Sequence, residues 1–182
     1  MMRWVGPLAV FIITAVGAHW ATLQYTPSVI MDRTLATLKN RGVSQHAFTT
    51  PQRISQSTQV VVRTSPDLFY SLCRYDLSEP GSALRVSMGE WPDYQSLSFF
   101  DDQTNNFATF RGTGKKRVVK LFPRDPLAEK VENGQTPPDG ETWQSTPSER
   151  GVVLIRRLAP TQEAFDAAKV AAEADLCELV TR

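Results

Sequence analysis

The side chains that could do chemistry are few, and their spacing argues against most of it. A serine or cysteine nucleophile needs a base within hydrogen-bond reach, most often histidine. The chain has two histidines, His19 in an unbroken apolar run and His46 in a polar stretch. No serine sits in a Gly-x-Ser-x-Gly elbow, so the inventory weighs against a hydrolase of the triad type. Gly112-Thr113-Gly114-Lys115-Lys116 looks superficially like a phosphate loop, but the interval between its glycines and the residue after its lysine are both wrong. It reads better as a hairpin turn displaying Lys115, Lys116 and Arg117. Between Gln103 and Arg124 there are six basic residues and no acid. Such a stripe suits anionic lipid headgroups or an acidic partner, against the plainer reading of a solvated turn.

Asp101-Asp102-Gln103-Thr104-Asn105-Asn106 is rich in oxygen ligands. A calcium loop needs alternating ligands, a mid-loop glycine and a distal glutamate, and that order is missing. Asx side chains bonding their own backbone at a strand-end turn account for the segment without a metal. Two distant cysteines and one histidine beyond the apolar run make no zinc set. No cofactor is implied.

The element that positions everything else is the N-terminal run. Residues 4–23, WVGPLAVFIITAVGAHWATL, contain no Asp, Glu, Lys or Arg. About 20 such residues span a hydrocarbon core about 30 Å thick as a helix. Trp4 and Trp20 stand near its ends, where indole rings favour the interface. The expected reading is a retained anchor in the lipid bilayer. Val16-Gly17-Ala18 has the small-residue spacing of a cleavage site, which leaves a secreted product as the alternative. Arg3 on the short leading end, against Asp32, Arg33 and Lys39 well beyond the far end, places the N-terminus in the cytoplasm.

Beyond residue 23 about 160 residues remain, enough for one domain with its own core. All 19 acidic residues and 19 of the 20 basic ones lie there, so this part is near neutral. That argues against a dedicated nucleic-acid binder. Cys73 and Cys177 both fall on the outer side. In an oxidising compartment such a pair can cross-link, and the alternative is two unrelated buried thiols. A bridge would close a loop worth about 4–5 kcal/mol in the chain-entropy model.

Thr26-Pro27 reads as an N-cap with proline at the first helical position, opening a short helix through Met31, Leu35 and Leu38 that Gly42 stops. From residue 43 to 59 the chain is polar and aperiodic, a tether over the domain surface. Short strands follow at residues 60–63, 68–75, 83–86, 97–100, 107–110 and 118–121, with turn signals between them. Residues 123–149 carry five prolines and read as a long irregular excursion. Residues 151–157, GVVLIRR, form the strongest strand. Pro160-Thr161 opens a helix with Phe165, Ala168, Ala172 and Leu176 on one face and Cys177 at its end. The expected architecture is mainly β with flanking helices: an N-terminal transmembrane helix, then an antiparallel sandwich or barrel-like domain and a C-terminal helix. The expected division is an anchor at 1–25, juxtamembrane helix and tether at 26–59, and a β-rich extracytoplasmic domain at 60–182.

Two segments together carry a resemblance. Pro66-Asp67-Leu68-Phe69-Tyr70-Ser71 with Asp76-Leu77-Ser78, and Tyr94-Gln95-Ser96 leading to Asp101 and Thr104-Asn105-Asn106-Phe107-Ala108, resemble the motifs of the bacterial "domain of unknown function 1254" family. Residues 152–157 are similar to its last strand, and the likeness covers roughly residues 60–176. It is closest to short, single-pass, cysteine-containing envelope members. In those, cysteines occupy the places of Cys73 and Cys177, which implies a disulfide and a retained anchor. Longer members carry a second domain, "domain of unknown function 1214", and the resemblance implies a separately encoded partner of that type. Asp67, Tyr70, Asp101, Thr104 and Asn105 match the motifs, as binding residues or, on the favoured reading, as residues that shape the backbone. The expected role is a non-enzymatic binding or assembly protein of the bacterial inner membrane with a periplasmic domain. The alternative is a subunit of an envelope enzyme completed by its partner.

Overall fold

The computed structural model describes residues 4–53, 64–125, 129–130 and 133–181. Helix α1, Val5–Asn40, runs unbroken for 36 residues, about 54 Å at 1.5 Å per residue. Its apolar window is entirely unburied, and it is long and apolar enough to cross a membrane. The expected helix start at Thr26-Pro27 is corrected: Pro27 lies inside α1. Proline forfeits the one ladder bond to the carbonyl four residues back, here that of Leu23, and the helix-forming residues on both sides carry the helix through. Gly42 does stop it. Gly42 adopts φ +78°, its N–H bonds the Lys39 carbonyl at 3.0 Å, and Val43 N–H bonds that of Leu38 at 3.0 Å. This is the Schellman arrangement, in which glycine avoids the Cβ penalty of a left-handed backbone.

The domain is a sandwich of two four-stranded sheets. Its strands are β1 (Leu68–Asp76), β2 (Ser82–Met88), β3 (Gln95–Phe100), β4 (Asn106–Arg111), β5 (Arg117–Pro123), β6 (Glu141–Thr146), β7 (Arg150–Leu158) and β8 (Leu176–Thr181). The first sheet has the order β1-β7-β3-β4, all antiparallel. The second has the order β6-β5-β2-β8, with β6 parallel to β5. The β-rich expectation holds, with two strands that were not expected: β8 stands where the C-terminal helix was expected to end, and β6 lies inside the proline-rich stretch. Its sequence, ETWQST, is only half-buried along most of its length and lacks a clean apolar alternation. The strand expected at residues 60–63 lies outside the described residues.

Alternation along β1 and β7 builds the core. Cys73 and Tyr75 meet Val153 and Ile155 on the inner face, and Leu84, Val86, Val119 and Leu121 close it from the second sheet. Helix α2, Gln162–Ala171, is capped by Thr161, whose side chain accepts from Ala164 N–H. Phe165, Ala168 and Ala172 pack on Phe69 and Trp91 at one end of the sandwich. Phe165 meets Phe69 edge-on at 5.0 Å. The helix ends earlier than its apolar spacing suggested. A 3-10 turn, Ala172–Ala174, follows it, so Leu176 and Cys177 belong to β8 and Leu176 is exposed.

Candidate functional site

The residues singled out in the sequence separate into two groups at opposite ends of the sandwich. Asp67 and Tyr70 stand at the start of β1, and the Asp101 turn follows β3 beside the other end of β1 and β7. Eight residue steps along β1, about 27 Å, divide them. At the first end Tyr70 Oη accepts from Ser65 N–H at 3.0 Å, and Ala159 N–H bonds the Asp67 carbonyl at 2.8 Å. At the second, Asp101 is buried and its carboxylate accepts from Gln103 N–H at 2.9 Å. It also accepts from Asn105 N–H and Asn105 Nδ2, each at 2.8 Å. Thr104 sits at φ +67° inside this turn. The carboxylate thus holds its own hairpin in shape. Lys115 and Lys116 are exposed in the β4–β5 turn, at the end away from Asp101. Arg117 lies back over the Phe110 ring at 5.7 Å.

Cys73 and Cys177 are bridged, with Cα atoms 6.6 Å apart. The bridge joins β1 of one sheet to β8 of the other, a strand-to-strand link where a link to the C-terminal helix was expected. Near it, an open groove of about 500 Å³ runs between residues 46–50 and the α2–β8 corner. Phe48, Lys169, Glu173 and Leu176 line it. The 43–50 segment forming one wall is held to the β1 edge by backbone bridges from Gln45 to Arg74 and from Thr49 to Leu72. Its His46 lies against the backbone of Asp76, whose N–H donates to Nε2 at 3.1 Å. Among the described residues, no three His, Cys, Asp or Glu side chains gather as a metal site would require.

A second small cleft, about 220 Å³, lies where α1 meets the sandwich, between Asp32, Lys39, Arg74, Asp76 and Arg150. Arg150 pairs with Asp32 at 3.4 Å, both side chains half-exposed. Partial burial favours the neutral form of Asp76, but hydrogen bonds from Ser78 and the charges of Arg150 and His46 outweigh it, so its carboxyl falls below the ordinary value.

Sequence reading missed the shortest ion pair among the described residues. Arg157 and Asp175, both without solvent exposure, form a bidentate pair at 2.7 and 2.6 Å. Asp175 also accepts from Gly89 N–H at 2.9 Å. One signal existed: Arg157 shares the face of Val153 and Ile155 in period-two alternation, a buried position that an arginine takes only with a partner. The pair ties β7, the β2–β3 loop and the turn into β8 to one point. Both side chains are enclosed, and because Asp175 belongs to the groove wall the pair braces that wall.

The crystal structure of the VPA0106 protein from Vibrio parahaemolyticus has a similar fold, with a TM-score of 0.60 at 15% identity over 86% of this chain and 35% of that one. An uncharacterized protein from Burkholderia cenocepacia matches with a TM-score of 0.48 at 12% identity, over 78% of this chain and 36% of its own. The chain therefore spans about a third of the length of these solved structures. No curated protein matches the sequence. Residues 45–178 match the family described as "Protein of unknown function (DUF1254)". That stretch takes in both sheets, the disulfide and the buried ion pair, and by it the chain belongs to the DUF1254 family.

Proposed function

We propose that this is a single-pass protein of the bacterial inner membrane, with a cytoplasmic N-terminus and a periplasmic sandwich that binds a partner without catalysing a reaction itself. The observation that carries this reading is α1. No residue of its apolar window is buried among the described residues, while its last turns continue without a break to the domain, where Met31 is buried. An unpartnered apolar surface of that length is at home in hydrocarbon. The Cys73–Cys177 bridge fits an oxidising compartment. The histidine of the domain is engaged with the Asp76 backbone, which favours binding over nucleophilic chemistry. The groove beside the bridge is of a size that takes a ligand or a partner side chain. The resemblance to family members that carry a second domain, "domain of unknown function 1214", supports a separately encoded protein of that type as the partner.

An alkaline phosphatase fusion placed after residue 45 tests the topology. It should be active, and the protein should stay with the membrane after carbonate washing. An inactive fusion would put the domain in the cytoplasm. A soluble product beginning at His19 would establish signal cleavage instead. Co-purification with a neighbouring DUF1214 product tests the partner, and its absence under conditions that retain the folded protein would remove that part of the reading.

A further inference from the structure

We propose that Arg156 and Arg111, with Ser96 between them, form a binding site for a phosphate- or carboxylate-bearing ligand on the outer face of the first sheet. Strand register places them. Tyr70 pairs with Arg156, Arg156 with Ser96, and Ser96 with Arg111, so one row crosses all four strands. Directly paired residues share a face, and this face is opposite the one carrying Ile155 and Leu97 into the core. Two strand spacings put the Arg156 and Arg111 backbones about 10 Å apart. Both long side chains can therefore converge over the small Ser96.

The row is furnished with donors and lacks a counter-charge. Arg156 is half-buried and Arg111 exposed. Among the described residues neither has a carboxylate partner: the ion pairs there use Arg85, Arg150 and Arg157. Arg111 is held over the Tyr94 ring at 6.0 Å, which restrains its guanidinium without neutralising it. Tyr94 Oη donates to Ser96 Oγ at 3.3 Å, leaving the serine hydroxyl hydrogen free to donate. Ser96 is only 2% exposed, so that hydroxyl forms a sheltered floor. The next row on this face, Leu72, Leu154, Ser98 and Thr109, is uncharged. Two guanidinium groups with no carboxylate partner among the described residues, on strands flanking a hydroxyl donor, match an oxyanion, which guanidinium binds through paired N–H bonds. This site goes beyond the anchoring reading and holds on whichever side of the membrane the domain lies.

The test uses the full-length protein in nanodiscs of zwitterionic lipid, titrated with inorganic phosphate and followed by calorimetry and by the arginine Nε–H signals. Saturable binding of one phosphate per chain is expected. Arg156→Gln and Arg111→Gln should each weaken it about tenfold or more, the loss of one charge-assisted hydrogen-bonding partner. Arg85→Gln, on the second sheet and paired with Glu178, should leave it unchanged. Arg156→Lys should retain part of the binding. If Arg156→Gln does not fold by circular dichroism, the exposed Arg111→Gln decides. A parallel sample in anionic-lipid nanodiscs without phosphate separates the sources: shifts of the same two arginine signals there would name a headgroup as the ligand. No saturable binding in either sample, or an equal loss in Arg85→Gln, would overturn the proposal.

Discussion

At the scale of single residues, a buried ion pair and a buried phenol set how the domain responds to change. Asp175 and Arg157 are both fully enclosed, so removing one leaves the other charged and unpaired in the interior. Asp175→Ala should cost about 3–5 kcal/mol in chemical denaturation. A double replacement by apolar residues of similar size should recover much of that, because desolvation offsets most of a buried pair's attraction. Tyr75 behaves differently. Burial pushes its phenol from about 10 up to about 12, against opposing hydrogen bonds from Thr146 and Ser148. A folded-state value raised above the unfolded one means the folded protein holds that proton more tightly. The resulting stability is complete below pH 10 and is lost as pH rises through about 12. Phenolate absorbance should show a phenol titrating near 12 that disappears in Tyr75→Phe, whose alkaline stability loss should be shallower. Its cross-strand neighbour has to be Gly151: a Cβ there would come within 2.0 Å of the Phe100 carbonyl and 2.5 Å of Tyr75 Oη.

At the scale of elements, the β3–β4 hairpin is the clearest case of a motif explained by its own backbone. Asp101 accepts three hydrogen bonds from Gln103 and Asn105, and Thr104 takes a left-handed conformation between them. Asp101→Ala should therefore destabilise the domain by roughly 1–3 kcal/mol, the loss of the hydrogen bonds that a buried charged carboxylate accepts across the turn. Loss of partner binding should follow loss of folded protein. A variant at Asp101 that stays fully stable while binding is lost would instead make the turn a ligand site. Helix α1 teaches the opposite lesson about local signals. Thr26-Pro27 has the composition of a helix start, yet flanking helical turns override a single proline.

At the scale of the whole molecule, the disulfide is the link that local packing does not duplicate. Cys73 and Cys177 are 104 residues apart and sit on edge strands of different sheets. Cys73→Ser should lower the melting temperature by the equivalent of about 2–5 kcal/mol. It should also leave Cys177 open to alkylation once β8 frays, whereas the unaltered protein should show no free thiol. Two freely alkylated thiols in the native protein would contradict the bridge.

The long apolar N-terminal helix, the alternation of most strands, the Gly42 stop and the helix opening at Thr161 were legible in the chain itself. Each depends on neighbours within a few residues, where apolar period, a left-handed glycine or a capping oxygen acts alone. Other features needed the tertiary structure. Strand β6 has a weak pattern of its own and forms by pairing parallel to β5. Leu176 and Cys177 continue a helical spacing, yet Asp175 is drawn to Arg157 and the chain turns there into β8. Asp67 and Asp101 belong to two motifs of the same family resemblance, and only antiparallel pairing shows that they stand at opposite ends of β1. Register did the reverse for Tyr70, Arg156, Ser96 and Arg111, which are scattered in sequence and aligned in one row. Which residues meet across a sheet depends on long-range register, and no local spacing encodes it.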